Sequence, residues 1–506
     1  MGTSKLPCKK SLALLIGLAG LASIPASAAV FTVTKTDDTL DGACDLDCSL
    51  REAVVAANAA AGTDVIVLPE GRYLLTRTGA DEDQAATGDL DLRSDLVLLG
   101  GGALTTVIDG SLIDRVLDVP SGSRVEIQDV TVRGGRVAGN GGGIRALGDL
   151  ALRRVTVTAN EATSGFGGGL YFDGDNTLTV EAGAITLNTA AGGGGGLALG
   201  GTARFTNVTI SGNRSLNDFG GGVYTFSDAE AVFANATITG NRAARLGGGL
   251  FAESSAFISL DRSELRNSIL AGNTATQGDP DCSGAPVSGG YNLIGDGTNC
   301  LAFSPATHDL EGTQASPLDP RLGALGNNGG PTPTHVPAAN SPALDGGNPA
   351  PAGGGGTACA ATDQRGASRQ GFGDEEAPTR CDIGAFEVTG HCVTGGPDLC
   401  LDGGRFKVNL AWRTAQGQSG PGQAVNLTDQ TGYFWFFSPE NVEVTVKTLD
   451  ACSPPFNSFW VFLSGLTDVE ATVTVTDTAT GRVKTYTNPL GRRFRPTFDT
   501  AAFPCS

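Results

Sequence analysis

Side chains that could perform acid–base chemistry are sparse in the middle of the chain. No lysine occurs between Lys35 and Lys407, and no histidine precedes His308. Elimination or hydrolysis of a polysaccharide needs ionisable groups that converge on one bond, either a base or two carboxylates. Arg153 and Arg154 fit the first requirement, although a solvent-facing arginine pair is the simpler interpretation. The neighbouring β-branched segments contain no Asp-Asp or Asn-Thr-Asp pair, so we predict no catalytic residue there.

This middle part is a sequence repeat with two markers in phase. Glycine runs recur at intervals of 26, 27, 26 and 27 residues, and each is followed at once by an aliphatic residue: Ile144, Leu170, Leu197, Val223 and Leu250. β-Branched segments end in asparagine at Asn160, Asn188, Asn213, Asn241 and Asn273. This period without a helical pattern predicts a solenoid of stacked coils in parallel sheets. Because asparagine can hydrogen-bond to its equivalent one coil away, we also predict an internal asparagine ladder.

One outward-facing row of side chains follows from the repeat register. If each aliphatic residue points inward, the next residue points out, because side chains alternate along a strand. The row then consists of Arg145, Tyr171, Ala198, Tyr224 and Phe251. We predict an exposed stripe, stacked about 4.8 Å apart, whose rings could stack on sugars or contact a partner protein. Two other interpretations stay open: the rings stabilise the stacked strands, or residues 275–388 fold back over them.

Composition and the first residues indicate an exported acidic protein. The 506 residues carry a formal net charge of −19, which makes nucleic acid an unfavourable partner. Lys9 and Lys10 precede an apolar run from Leu12 to Ile24, and the small residues ending at Ala28 match a signal-peptide cleavage site. The run is too short for an ordinary membrane helix, so we predict a cleaved signal at residues 1–28 and no integral membrane protein. Loss of its three lysines changes the charge from −19 to −22.

Cysteine usage agrees with an oxidising compartment. Beyond Cys8 there are ten cysteines in local clusters, which predict five disulfides: Cys44 with Cys48, Cys282 with Cys300, Cys359 with Cys381, Cys392 with Cys400, and Cys452 with Cys505. Zinc is a weaker alternative because no paired C-x-x-C motif occurs. Calcium at the acidic loop is weakly supported, since that loop lacks an EF-hand spacing: Asp37, Asp38, Asp41, Asp45 and Asp47. We therefore predict no metal site and no cofactor.

A short amphipathic helix precedes the repeat. Ser49 and Glu52 form a capping box, and Leu50, Ala53, Val54 and Ala57 repeat at helical spacing. The block CSLREAVVAAN, with VIVLPEGRYLL and TGDLDL after it, resembles the CSLREA-type N-terminal region of exported bacterial β-helix proteins. The blocks GYNLIGD, DQRG and CDIGAFE resemble the choice-of-anchor Q domain, and the repeats are distantly similar to those of polymorphic outer-membrane proteins. The resemblance implies a secreted or surface-attached right-handed, pectin-lyase-like β-helix.

The chain after residue 390 differs in kind. All three tryptophans lie there, in alternating segments separated by turn residues: Trp412, Trp435 and Trp460. This pattern predicts an antiparallel β-sandwich at 391–506. The predicted organisation is therefore a signal at 1–28, a cap at 29–75, repeats at 76–274, a region at 275–388 that continues or covers the solenoid, and the sandwich.

These observations favour an extracellular, non-catalytic, adhesin-like scaffold that binds a glycan or a surface protein. A polysaccharide lyase or glycoside hydrolase is the alternative, because right-handed β-helices often act on polysaccharides. A third possibility is that the C-terminal module binds carbohydrate or anchors the protein to a surface.

Overall fold

The computed structural model describes residues 28–80, 82–253, 263–300, 307–338, 340–369, 380–388, 397–402, 404–478, 480 and 482–505. The predicted export signal, except its last residue, and Cys392 lie outside the described residues. The fold is all-β, with a parallel solenoid followed by antiparallel sheets.

Four parallel sheets run along the solenoid, and the six coils between Arg124 and Ser283 each contribute strands in the order I, II, III, IV. Sheet I consists of Val30–Thr32, Asp64–Leu68, Leu96–Gly100, Arg124–Gln128, Asp149–Arg153, Thr177–Glu181, Thr202–Thr206, Glu230–Ala234, Glu264–Arg266 and Val287–Gly290. Sheet II consists of Gly71–Leu74, Thr106–Asp109, Thr131–Arg133, Thr156–Thr158, Ala184–Thr186, Thr209–Ser211, Thr237–Thr239, Ile269–Leu270, Leu293–Ile294 and Leu310–Glu311. Sheet III consists of Arg136–Val137, Glu161–Ala162, Thr189–Ala190, Arg214–Ser215, Arg242–Ala243 and Thr274–Ala275. Sheet IV consists of Leu90–Asp91, Leu117–Val119, Ile144–Ala146, Leu170–Phe172, Leu197–Leu199, Val223–Thr225, Leu250–Ala252 and Cys282–Ser283.

Stacked apolar side chains fill the interior of the coils. In sheet I, Leu150 and Leu152 are buried and lie in register with Leu178 and Val180 of the next coil. The bends depend on glycine where the backbone turns sharply. Gly167 has φ of +65°, and a Cβ there would lie 2.4 Å from the Leu170 carbonyl oxygen. The glycine runs thus permit the turn into each strand of sheet IV.

The predicted asparagine ladder is confirmed. Asn160, Asn188 and Asn213 each donate from the backbone N and from Nδ2 to the Oδ1 of the next ladder asparagine, at 3.0 or 2.9 Å. Asn241 donates in the same way to Asn273. Asn273 donates both groups to Oδ1 of Asp281, where the ladder ends. Every step lies in the buried interior, so the ladder joins successive coils.

The predicted helix spans Leu50–Ala59 and has the full capping box between Ser49 and Glu52. Its apolar face enters the same core as the first strands of sheet I, with Leu50, Ala53, Val54 and Ala57 buried. Arg51 is fully buried and pairs with Asp38 at 2.6 Å. The helix therefore packs on the first coil through apolar contacts and one buried ion pair.

A long irregular segment covers sheet II. We call residues 312–338, 340–369 and 380–388 the cover segment. Its Gln364 accepts a hydrogen bond from Thr209 at 2.7 Å, and its His335 lies 2.9 Å from the Ser211 hydroxyl. Its buried Arg369 donates to Asn207 at 3.0 Å. The described contacts thus place this segment against sheet II and the turn before it, not against sheet IV.

The C-terminal part is an antiparallel sandwich, as predicted. One sheet consists of Leu399–Leu401, Phe406–Arg413, Ser419–Pro421, Glu470–Asp477 and Arg482–Asn488. The other consists of Gln423–Thr428, Thr431–Trp435, Val444–Ala451, Ser458–Gly465 and Thr497–Pro504. Phe406 of the first sheet packs against Phe459 and Phe503 of the second, with ring centroids 5.2 Å apart in both cases. The two sheets therefore share one core.

Four predicted disulfides are present among the described residues: Cys44–Cys48, Cys282–Cys300, Cys359–Cys381 and Cys452–Cys505. Cys400 is also disulfide-bonded. Within the described ranges, no helix has the length and apolar character needed to cross a membrane.

Candidate functional site

Sheet IV holds the predicted row in register. Tyr171 lies opposite Arg145 on one side and Ala198 on the other, and Tyr224 lies between Ala198 and Phe251. The residues before and after each row member are buried in the solenoid, as at Leu170 and Phe172. The row therefore lies on the outer surface of sheet IV, as the alternation of strand side chains predicts.

The aromatic members of the row belong to a larger cluster. We call the six rings on this face the aromatic patch: Phe166, Tyr171, Phe219, Tyr224, Phe226 and Phe251. Phe226 contacts Tyr171, Tyr224 and Phe166 at centroid distances of 6.2, 5.0 and 5.6 Å. Phe251 stacks on Tyr224 at 5.3 Å and on Phe219 at 4.3 Å. The six rings form one continuous surface across several coils.

The predicted exposure of the row is wrong in part. Tyr224 is only 7% exposed and Ala198 is fully buried, while Tyr171 and Phe251 are half-buried. The reason is that turn residues such as Phe226 lean over the strands and pack against the row. The Tyr224 ring also lies so close to the backbone of the preceding coil that a Cβ at Gly193 would be 2.5 Å from it. The patch therefore offers ring edges and partial faces, not fully open rings.

Polar groups surround the patch. The Tyr171 hydroxyl donates to Asp173 at 2.8 Å, and burial together with this carboxylate raises the pKa of Tyr171 to about 12. Burial and Glu253, to which it hydrogen-bonds, also raise the pKa of Tyr224. The Arg245 guanidinium lies 4.2 Å from the centre of the Phe219 ring. Carboxylates and a guanidinium beside aromatic rings are suited to a ligand with both apolar faces and hydroxyl groups.

A cluster of acids and arginines lies at the N-terminal end of the same face. Asp91 lies opposite Asp118, which lies opposite Arg145, so the row continues into charged residues. Arg145 binds both carboxylate oxygens of Asp118 at 2.7 Å. Arg115 pairs with Asp89 at 2.8 Å. Ionisable side chains, which are sparse in the middle of the chain, therefore come together at the first coils of sheet IV.

The cluster is buried and contains more acidic residues than arginines. Asp89, Asp91 and Asp118 are each less than 5% exposed. Burial raises the pKa of Asp89 to about 6, with Arg115 opposing the shift and Asp114 and Asp118 adding to it. Burial and the neighbouring Asp89 raise the pKa of Asp91 to about 7. Two carboxyl groups therefore titrate near neutral pH.

The loop before Asp89 closes over the cluster. The backbone N of Ala85, which is fully buried, donates to Asp91 at 2.7 Å. Arg51 of the capping helix donates to the carbonyl oxygens of Ala85 and Gly88, both at 2.9 Å. The cap thus holds this loop against the end of sheet IV, and the loop keeps the carboxylates away from solvent.

The other charged candidates are engaged in ion pairs. Arg153 pairs with Glu126 at 2.9 Å and also with Glu181, and Arg154 pairs with Asp129 at 2.6 Å. These pairs lie on the half-exposed outer surface near sheet I, so the simpler interpretation of the arginine pair is confirmed. In the acidic loop, Asp38 pairs with Arg51, and Asp47 pairs with Lys35 at 2.9 Å. No group of three or more potential metal ligands occurs in the described part of the chain.

Two parts of this face were missed by sequence reasoning, although signals for them exist. Phe166 and Phe219 each come directly before a glycine run, so they occupy the same position of the repeat. Asp89 and Asp91 alternate in the block TGDLDL, as two residues on one strand face would. The glycine markers begin only at Gly141, so the repeat spacing does not give the register of the first coils.

Residues 114–299 match the family model of the right handed beta helix region. No curated protein matches the chain. Among solved structures, the chain is similar to the A-module of mannuronan C-5 epimerase AlgE6 from Azotobacter vinelandii, at 17% identity and a TM-score of 0.22. That likeness covers 48% of this chain and 88% of the other, and likeness of this degree identifies no activity.

Proposed function

We propose that this protein is an exported, non-catalytic β-helix scaffold that binds a glycan through the aromatic patch. The observation that supports this most is the joining of six rings on sheet IV while the described cover segment packs against sheet II. Four disulfides among the described residues favour an oxidising, extracellular compartment. We leave the identity of the sugar to the experiment.

The chemistry of the patch fits a sugar better than a purely apolar partner. Sugar rings present C–H faces that pack on aromatic side chains and hydroxyl groups that hydrogen-bond to carboxylates. Half-buried Tyr171 and Phe251 supply the ring surfaces, and Asp173 and Glu253 supply acceptors beside them. Tight packing among the rings holds them in fixed orientations, which lowers the entropy cost of binding.

Replacing Tyr171 and Phe251 together by alanine is expected to weaken glycan binding about tenfold, since each ring contact contributes roughly 0.5–1.5 kcal/mol. The measurement is affinity electrophoresis of the exported protein in gels that contain neutral or acidic polysaccharides. Both rings are half-buried, so the variant should still fold, which circular dichroism checks.

The matched control replaces Phe456 and Phe498, which are 58% and 72% exposed in the C-terminal module. This variant also loses two aromatic rings but leaves sheet IV unchanged, so it should bind like the wild type. Equal binding by all three proteins, or a loss only in the control, would contradict the proposal for sheet IV.

A second candidate function is a polysaccharide lyase or hydrolase. The acid–arginine cluster favours it, because Asp89 and Asp91 have raised pKa values at one end of the aromatic face. Against it, Asp89, Asp91 and Asp118 are almost fully buried, and a general acid must reach the bond that it cleaves. The scaffold remains the better supported proposal.

Incubation with the same polysaccharides is therefore expected to release neither unsaturated nor reducing products. Absorbance of unsaturated sugars and a reducing-end assay measure both outcomes. Asp175→Asn is the control, since Asp175 is an exposed residue outside the cluster. If products form, and if Asp118→Asn abolishes them while Asp175→Asn does not, the protein is an enzyme and the scaffold proposal is wrong.

A further inference from the structure

The C-terminal module contains a basic pocket in an otherwise acidic protein. The pocket has a volume of about 560 Å³, and its lining includes Arg492, Arg493 and Arg495. All three arginines are exposed, and none pairs with a carboxylate in the described part of the chain. Three unpaired guanidinium groups in one concavity stand out against a net charge of −19.

The loop that carries these arginines is firmly anchored. The buried Asn488 donates from Nδ2 to the carbonyl oxygens of Arg492 and Val469, at 2.9 and 3.1 Å. Phe494 is only 7% exposed, and its side chain packs so closely on Gly465 that a Cβ there would lie 2.5 Å away. Phe494 thus points inward between exposed arginines, and the backbone that carries them is anchored before a ligand arrives.

The nearby acid does not neutralise the pocket. Asp499 already accepts from the Tyr486 hydroxyl at 2.9 Å and from Lys484 at 3.4 Å. Because Lys484 balances the charge of Asp499, the three arginines give the pocket an excess of positive charge. Guanidinium groups bind carboxylates and phosphates through paired hydrogen bonds.

We infer that this pocket binds a carboxylate-bearing sugar, a uronate unit of an acidic glycan. The volume exceeds what an inorganic anion needs and falls in the range of small-ligand sites. Thr487 and Thr497 also line the pocket and can hydrogen-bond to hydroxyl groups, which a uronate carries beside its carboxylate. An extended nucleic acid is disfavoured because the basic area is confined to one pocket and the rest of the chain is acidic. The inference does not rest on glycan binding by sheet IV.

The test is calorimetric titration of the full exported chain with a short oligogalacturonate, its methyl ester, inorganic phosphate and a single-stranded oligonucleotide. The oligogalacturonate should bind, and the uncharged methyl ester should not. Changing Arg492, Arg493 and Arg495 to glutamine should weaken binding about tenfold or more, because charge-assisted hydrogen bonds are lost.

The matched control changes Arg204, Arg214 and Arg242 to glutamine. These are exposed solenoid residues without a described ion pair, so the net charge falls by the same amount. This control should bind oligogalacturonate like the wild type.

Several results would overturn the inference. Equal weakening by the two arginine variants would show that only total charge matters. Equal affinity for the methyl ester, or for phosphate alone, would show that a uronate is not what the pocket selects. Tighter binding of the oligonucleotide would point to a different class of ligand, and no binding of oligogalacturonate at all would refute the site.

Discussion

Replacing Asn213 by alanine is expected to lower the free energy of unfolding by about 3–5 kcal/mol, because it interrupts the ladder in the middle of the solenoid. Asn213 accepts the backbone N and Nδ2 of Asn188, both at 3.0 Å. It donates to the carbonyl of Ile185 at 2.8 Å and to Asn241 at 2.9 Å. Removal leaves buried donors and acceptors without partners on both neighbouring coils. Urea unfolding followed by circular dichroism measures the change.

Asn217→Ala is the control, because Asn217 is exposed and lies in the same coil outside the ladder. Its stability should match that of the wild type. Asn213→Asp is expected to be at least as destabilised as the alanine variant at neutral pH, since a carboxylate cannot donate to Ile185 or Asn241. A loss below about 1 kcal/mol in both ladder variants would show that the ladder does not stabilise the fold.

Asp91→Asn is expected to stabilise the protein at pH 8, and to stabilise it much less at pH 5. The folded pKa of Asp91 is raised to about 7, so the folded state holds a proton that the unfolded state, with an ordinary pKa, has already lost. The contribution of Asp91 to the free energy of unfolding therefore falls as the pH rises from about 4 to about 7. Asparagine keeps an acceptor for the Ala85 backbone N without the buried charge. The expected gain is about 2–3 kcal/mol larger at pH 8 than at pH 5.

Unfolding in urea at pH 5 and pH 8 measures this difference. Asp175→Asn, at an exposed position, should follow the wild type at both pH values. Asp89 also has a raised pKa and stays in the variant, so some loss of stability toward high pH should persist. If Asp91→Asn were the less stable protein at pH 8, the ionised carboxylate would be a stabilising partner of the nearby arginines.

The solenoid could be predicted because its determinants are local and repeated. A glycine run before five strands of sheet IV and an asparagine shortly after five strands of sheet II recur in phase, so register and ladder follow from spacing. The position of the cover segment could not be predicted in this way. It depends on contacts such as Arg369 with Asn207 and Gln364 with Thr209, which are more than 150 residues apart in sequence. No periodic signal encodes such contacts.

The candidate site was predictable to the same extent. Spacing gave the order Tyr171, Ala198, Tyr224 and Phe251 along sheet IV, because strand register is periodic. The burial of Tyr224 was not predictable, since it arises from turn residues that differ from coil to coil. Phe226, which packs against Tyr224 at 5.0 Å, occupies a position that other coils fill with Asp173, Gly200 and Glu253.

The ladder also joins successive middle coils by the same hydrogen bonds. Every ladder asparagine from Asn160 to Asn241 accepts from the coil before it and donates to the coil after it, so the asparagine of a duplicated coil would meet equivalent partners on both sides. Asp281 accepts from Asn273 but has no side-chain donor when ionised, so the series cannot grow past it. Additional coils, introduced by gene duplication or by protein engineering, can therefore be inserted among the middle coils but not beyond Asp281.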